Sequence, residues 1–346
     1  MWRVIGQEKA ITLLKRALDD GNLAHAYLFV GPAQVGKRTL ALNLAQALNC
    51  LGGEPPCQQC SPCLRISRGS HADVRVISLK SGEAEKGKAS VEIGIDDVRE
   101  IQHAANFPPF EGNYKVFIID GAENMSAEAS NCLLKVLEEP LPQVIFLLLT
   151  SEEKRLLPTV ISRCQRLELK PMPVIEVKQV LIKVYEAVPD RADLLARLSK
   201  GCLGWALEAL KDSNWVKERE HVMDELISLL VGSWEERFHY ATELAKLFDN
   251  ERRSGEEKVE AWIAWWRDLL LIKSGCGEAV MNVDYLSVMK EISEQLTLAQ
   301  IRDFAIKLEK LLWQIRQNVN IRLAVEALML ELPRIAKLRM EQECLK

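Results

Sequence analysis

An apolar strand, a glycine-bounded turn and a helix follow one another between residues 26 and 48, and this junction constrains the fold more than any other stretch. Ala26-Tyr-Leu-Phe-Val30 is a continuous apolar run of strand length, the pattern of a strand buried on both faces. Gly31-Pro-Ala-Gln-Val-Gly36-Lys37 follows with the G-x4-G-K spacing of a phosphate-binding loop. Thr39–Leu48 then places Leu40, Leu44, Ala47 and Leu48 on one helical face. In such a loop backbone N–H groups cradle phosphates, the helix N-terminus adds positive potential, and the lysine reaches the β- and γ-phosphates. The next residue of the motif is Ser or Thr, whose hydroxyl ligates Mg²⁺. Arg38 stands there, and Thr39 comes one place late, turned by about 100° around the helix. Gly31, Gly36, Lys37 and Thr39 are therefore nucleotide-site candidates in a loop shaped for phosphate but poorly equipped for tight Mg·ATP binding.

The alternation continues. Val74–Ser78, Val116–Asp120, Val144–Thr150 and Arg166–Leu169 read as strands; residues 8–18, Ile95–Ala105 and Ser126–Glu139 read as helices, the last with Ser126 as N-cap and Pro140 as stop. Lys80–Ser90 is polar and reads as a mobile loop. Strand–helix alternation from 26 to 170 predicts a mostly parallel sheet with helices on its faces. Beyond Pro171-Met-Pro173 helical patterns dominate, broken near Pro189, Gly201–Gly204, Gly232, Ser254-Gly255 and Gly275–Gly277. Seven of the eight tryptophans lie in this part, and Trp262, Trp265 and Trp266 have the spacing of a packed helix face rather than a base-stacking platform. A chain of 346 residues accommodates two or three such domains.

Val116-Phe-Ile-Ile-Asp120 ends in a carboxylate suited to holding Mg²⁺ directly or through water; the plain alternative is a buried strand ending in an exposed Asp. Hydrolysis also needs a carboxylate to polarise the attacking water. Gly121 occupies the place beside Asp120, and Glu123 lies on a different azimuth. Both departures, Arg38 and Gly121, lead to the same expectation: a nucleotide-binding fold with poor catalysis.

Cys50, Cys57, Cys60 and Cys63 have the spacing C-x6-C-x2-C-x2-C, interrupted by Gly52, Gly53, Pro55 and Pro56. Two-residue spacers aim successive sulfurs at one point, which suits a tetrahedral Zn²⁺ with ~2.3 Å Zn–S bonds. Four thiolates leave no open position, so the expected site is structural. A redox C-x-x-C pair and unligated thiols are the alternatives. Cys132, Cys164, Cys202, Cys276 and Cys344 are scattered and read as small buried hydrophobes, while His71 and His103 lie outside the cluster and need not be ligands.

Charge excludes a sequence-blind DNA-wrapping surface: residues 1–170 hold 20 basic and 20 acidic residues, and the whole chain carries a formal net charge of −4. Nucleic-acid contact must then be local or shared with other chains. No apolar run reaches the ~18–20 residues of a membrane span. Met1–Gly6 lacks the apolar core of a secretory leader, so a cytoplasmic protein is expected.

Taken together, these motifs resemble the bacterial clamp-loader subunits of the AAA+ class. Val4-Ile-Gly-Gln7 matches that family's adenine-side motif, His25–Pro32 its strand into the P-loop, and the four cysteines its zinc insertion. Asn131–Pro140 resembles the helix after the Asp120 strand; Thr150 falls where sensor 1 belongs; Ser162-Arg163-Cys164 matches the S-R-C motif; Asn318-Val-Asn-Ile-Arg322 through Glu331 resembles the C-terminal helix. The resemblance implies a P-loop parallel-sheet domain over 1–170 with a zinc module at 50–63, a helical lid over 171–211, and a helical collar for oligomerisation over 212–346. It implies that Arg163 acts as an arginine finger on ATP held by a neighbouring subunit, making hydrolysis depend on assembly. It further implies motor subunits of the gamma/tau type, a delta-type subunit, primed DNA and, indirectly, the sliding clamp as partners within a DNA polymerase III holoenzyme. Such a chain is not catalytic alone. Gly201-Cys-Leu-Gly204-Trp205 lacks the arginine of the sensor 2 stretch in hydrolysing relatives, which with Arg38 and Gly121 favours a stator holding ATP or ADP weakly if at all. Arg99 and Lys135 are candidates for DNA contact, with solvated helix-face charges as the alternative. Two other readings stay open: an active AAA+ motor using Lys37, Asp120 and Glu123, and a zinc-dependent DNA-binding module.

Overall fold

In the computed structural model the structure describes residues 2–79, 92–317, 319–336 and 338. The expected loop at 80–90, Asn318 and Cys344 lie outside the described residues. The chain divides into two compact units: Met1–Val177 with Lys200–Trp205, and Lys178–Ser199 with Ala206–Lys346. The segment 171–211 is thus shared between them.

The first unit is built on five parallel strands: β1 (Ala26–Val30), β2 (Val74–Ile77), β3 (Lys115–Asp120), β4 (Val144–Thr150) and β5 (Gln165–Glu168), in the order β2-β3-β4-β1-β5. Alternation along β1 assigns its side chains to two cores. Tyr27 and Phe29 pack with Leu14 of α1 (Glu8–Asp19) and with Leu40 and Leu44 of α2 (Lys37–Leu48). Ala26 and Leu28 pack on the other face among residues that include Val98 and Ile101 of α4 (Ile95–Ala105) and Leu133 of α5 (Ala127–Glu138). In chain order α3 (Ser61–Ser67) follows α2 and carries Cys63. Ser126 caps α5 by accepting a hydrogen bond from the Ala129 N–H at 3.1 Å. The short α6 (Pro158–Ile161) follows β4.

The second unit is helical among the described residues. It draws on α7 (Val174–Tyr185), α8 (Pro189–Leu198), α9 (Leu203–Lys211), α10 (Ser213–Val231), α11 (Trp234–Asn250), α12 (Arg252–Lys273), α13 (Leu286–Gln295), α14 (Leu298–Arg316) and α15 (Ile321–Glu331). Trp262, Trp265 and Trp266 on α12 are at most 1% exposed and centre its core, as their spacing predicts. Trp234 and Trp313, by contrast, are exposed. Cys276 corrects the expectation for the scattered cysteines: it is exposed, because it lies on the turn that leaves α12 through Gly275 at φ +79°. Among the described residues no helix is long and apolar enough to cross a membrane.

Candidate functional site: a P-loop edge and a four-cysteine module

The register of the sheet brings three candidates to one edge. Val30 pairs with Thr150 and Asp120 with Leu149, so the carboxyl ends of β1, β3 and β4 are level. Ligands bind at such carboxyl edges in open α/β sheets. Gly31 continues β1 into the loop, and a Cβ there would lie 2.5 Å from the Leu169 carbonyl oxygen, so only glycine fits. Gly36 caps α2 at φ +108°, a left-handed conformation that glycine adopts without strain.

Lys37 is buried, and its ammonium donates to the Gly31 carbonyl (2.6 Å), the Pro32 carbonyl (2.9 Å) and Ser151 Oγ (3.0 Å). Burial draws its pKa down, opposed by the charges of Glu123 and Asp120. The loop's own oxygens thus hold the cation where a phosphate would compete for it. Arg38 and Thr39 are both exposed on the first turn of α2. Arg38 Nε lies 3.9 Å from Asp120 Oδ2. Burial raises the Asp120 carboxyl, while Arg38 and Lys37 pull it back. Gly121, at φ +80°, puts no side chain beside Asp120. One Glu123 oxygen accepts the Ser151 N–H at 3.1 Å, and its other oxygen is buried without a partner. Thr150 is fully buried, and its hydroxyl accepts the Glu152 N–H at 3.1 Å. The residues present fit a nucleotide's phosphates but not its usual Mg²⁺, since the hydroxyl ligand is missing and a guanidinium faces the carboxylate.

Gly204 touches the same loop: its N–H donates to the Gln34 carbonyl at 3.0 Å, and a Cβ there would stand 2.6 Å from that oxygen. Sequence reasoning registered the missing arginine of this stretch but not the glycine's packing role. It also missed Ser151 as the partner of both Lys37 and Glu123, since neither contact leaves a local signal.

Arg163 lies just beyond α6, about one-third exposed. It donates to Glu138 Oε1 at 2.6 Å and to the Thr159 carbonyl at 3.0 Å. Glu138 was not anticipated, and a partner 25 residues away leaves no pattern. Arg99 is exposed and pairs with Asp96 at 3.2 Å, and Lys135 is exposed on α5.

The four cysteines come together with their sulfurs all within 4.8 Å of one another. A tetrahedral site with ~2.3 Å Zn–S bonds needs S···S separations of ~3.8 Å, and the Cys50 and Cys60 sulfurs are 4.0 Å apart. Backbone N–H groups of Gly52 and Cys57 donate to Cys50 Sγ, and that of Cys60 to Cys57 Sγ, each at 3.3 Å. Such donors stabilise thiolates: the N–H groups of Gln59 and Cys60 draw the Cys57 thiol down to about 6. Burial pushes the Cys63 thiol up to about 12, a cost that a dication among the sulfurs reverses. Gly52 is required, because a Cβ would lie 2.8 Å from Cys57 Cβ. This donor set fits a soft dication, and no histidine joins it. His71 is buried elsewhere, where Nδ1 accepts the Asp73 N–H at 3.2 Å.

The family described as DNA polymerase III, delta subunit matches residues 6–173, and the family described as DNA polymerase III, delta subunit, C terminal matches residues 213–333. The chain is 28% identical over 327 residues to the delta′ subunit of DNA polymerase III from Bacillus subtilis, covering 94% of this chain and 96% of that one. It is 31% identical over 314 residues to the tau subunit from the same organism, covering 85% of this chain and 54% of that longer protein. Among solved structures, a gamma subunit-related protein of DNA polymerase III from Thermotoga maritima superposes with a TM-score of 0.45 at 19% identity, covering 93% of this chain and 97% of that one. A RuvB Holliday junction branch migration motor from Thermotoga maritima gives a TM-score of 0.40 at 18% identity, covering 70% of this chain and 76% of that one. With both family matches lying along its two units, the chain belongs to the DNA polymerase III clamp-loader subunits.

Proposed function

We propose that this chain is the delta′-type stator of its clamp loader: a subunit that does not hydrolyse ATP but completes the ring and supplies Arg163 in trans to a neighbouring ATPase. The observation that carries this reading is the guanidinium of Arg38 beside Asp120, where a hydrolysing site needs a hydroxyl and a metal. Gly121 next to Asp120, and Glu123 with one oxygen turned onto the Ser151 N–H, add to it: the first offers no carboxylate and the second is engaged away from Asp120's neighbour position. Nucleotide, when bound, would be held by the backbone of Gly31–Gly36 and by Lys37, contributing charge to the loop without turnover.

Arg163 suits delivery in trans. It is partly exposed, and its guanidinium is held only by Glu138 Oε1 and the Thr159 carbonyl, both at the surface. Exchanging that exposed ion pair for a γ-phosphate costs little, because exposed pairs contribute only ~0–1 kcal/mol. The partners in this reading are gamma/tau-type motors, a delta-type subunit, primed DNA within the assembly and the sliding clamp at one remove. The cysteine module holds Zn²⁺ as a structural element. A lid over 171–211 and a collar over 212–346 complete the proposed three-domain organisation.

The test is ATP turnover by the reconstituted loader with wild-type chain or Arg163→Ala. The reading expects equal assembly and a loss of clamp- and primer-stimulated turnover. A second reading, an active motor, draws on the unpartnered oxygen of Glu123; Lys37-dependent hydrolysis by the isolated chain would establish it over the stator.

A further inference from the structure

We propose that the P-loop of this chain takes a nucleoside diphosphate without a divalent cation, the guanidinium of Arg38 standing where the metal would. The proposal rests on the reading of this edge as a non-hydrolysing phosphate site.

In a working P-loop one cation lies between the strand-end carboxylate and the phosphate oxygens, held by the hydroxyl that follows the lysine. Here the residue in that place is itself a cation. Arg38 Nε stands 3.9 Å from Asp120 Oδ2, so the carboxylate already has its counter-charge. A divalent ion approaching Asp120 meets a positive group already beside the carboxylate and no hydroxyl ligand, whereas Mg²⁺ demands near-complete octahedral coordination by oxygen. The metal side of the site is therefore closed by charge.

The phosphate side is kept. Gly36 retains the left-handed turn that opens the twelve-residue helix α2. The Lys37 ammonium lies on two loop carbonyls and Ser151 Oγ, oxygens that an incoming phosphate replaces as its partner. Arg38 has its side chain 61% exposed, so nothing pins it on Asp120. Its planar fork offers five donors, enough to bond the carboxylate on one side and phosphate oxygens on the other. Arginine binds phosphate in this two-pronged way, which a hydrated metal ion does not need to supply. The same charge balance selects the diphosphate. A γ-phosphate adds negative charge that Mg²⁺ normally bridges and neutralises, and Lys37 and Arg38 alone leave that excess uncompensated beside the carboxylates of Asp120 and Glu123.

The experiment is titration of the full-length chain with a fluorescent ADP analogue in buffer stripped of divalent ions by resin, then with added Mg²⁺. Resin rather than a chelator leaves any metal of the cysteine module in place. The expected result is saturable binding without divalent ion, changed less than about twofold by Mg²⁺, with the ATP analogue weaker than the ADP analogue. Arg38→Ser restores the hydroxyl, and its affinity becomes dependent on Mg²⁺ by about tenfold or more. Arg38→Ala loses metal-free binding and gains no such dependence. Circular dichroism and thermal melts confirm that these exposed-site variants fold. Wild-type binding that tightens about tenfold with Mg²⁺, or no saturable binding up to about 1 mM, overturns the proposal. Either failure leaves the trans role of Arg163 untouched, because that role is read in the assembled loader and not in the isolated chain.

Discussion

Arg237 offers a prediction whose magnitude follows from the geometry. It is fully buried on α11 and has no carboxylate partner among the described residues. Its Nε donates to the Leu229 carbonyl at 2.9 Å, Nη2 to the Leu230 and Pro333 carbonyls at 3.3 and 3.1 Å, and Nη1 to the Leu332 carbonyl at 2.6 Å. Leu229 and Leu230 lie in the last turn of α10, and Leu332 is the C-cap of α15. Two helix C-termini therefore turn their terminal carbonyls and negative dipole ends onto one guanidinium, with the Trp234 ring 5.4 Å from Cζ. Burial, with Arg334 nearby, lowers the Arg237 pKa without removing its charge. Hydrogen bonds to a charged group contribute ~1.5–3 kcal/mol each, so the four are worth roughly 6–12 kcal/mol gross. Arg237→Met forfeits them and strands the Leu229, Leu332 and Pro333 carbonyls, the Leu230 carbonyl keeping the Ile335 N–H at 3.1 Å, but recovers several kcal/mol of ion desolvation. The expected net loss is about 3–5 kcal/mol. Urea unfolding followed by tryptophan fluorescence reads it directly, because Trp262, Trp265 and Trp266 lie in the core of the same unit. A loss below about 1 kcal/mol would refute the claim that this residue ties the chain's C-terminal segment to α10 and α11.

Two more outcomes follow from the first unit. The chain should carry one Zn²⁺ per molecule by metal analysis; Cys63→Ser should abolish that stoichiometry and lower the melting of the first unit while the tryptophan-reported transition stays in place, and a metal-free variant that melts like wild type would contradict a structural metal. Asp73 is buried, which raises its carboxyl pKa, but the N–H groups of Phe110, Glu111 and Gly112 at 2.7–2.8 Å outweigh that and hold it below its usual range. A depressed carboxyl stabilises the fold above its unfolded pKa of ~3.9 and loses that contribution as pH falls through the folded value. Asp73→Asn should therefore cost ~2–4 kcal/mol at pH 7, with the difference from wild type shrinking at acid pH; a difference that does not change with pH would contradict it.

Where side-chain pattern and backbone role coincide, sequence and structure agree to the residue, as in β1 (26–30), α4 (95–105) and β4 (144–150). These are long apolar runs or full amphipathic turns. Departures occur where one residue serves two purposes. α2 starts at Lys37 rather than Thr39, because Gly36 in the left-handed region opens the helix while the lysine is still folded back onto the loop. β3 takes in Lys115, whose charge hides a residue that pairs with Val144. The four-cysteine cluster was legible because its ligands are close in sequence. Ser151 beneath Lys37, Glu138 beside Arg163 and the carbonyl cage of Arg237 were not. Each is a tertiary contact between polar groups far apart in the chain, and polar residues carry no periodicity that assigns them a partner. Cys276 shows the converse: a residue type that is usually buried is exposed where a turn leaves it no core to enter.

In the proposed stator, Arg163 acts on a neighbour's ATP and the chain's own P-loop does not turn over. The most direct measurement is clamp- and primer-stimulated ATP turnover by loaders assembled with wild type, Arg163→Ala or Arg163→Lys, with assembly checked by size-exclusion chromatography. The expected result is intact assemblies in which turnover at the affected site falls about 10³-fold for both variants, because lysine lacks the planar fork that spans the transferred phosphate. Unchanged turnover in intact assemblies would contradict it and return Arg163 to its ion pair with Glu138 as a structural contact.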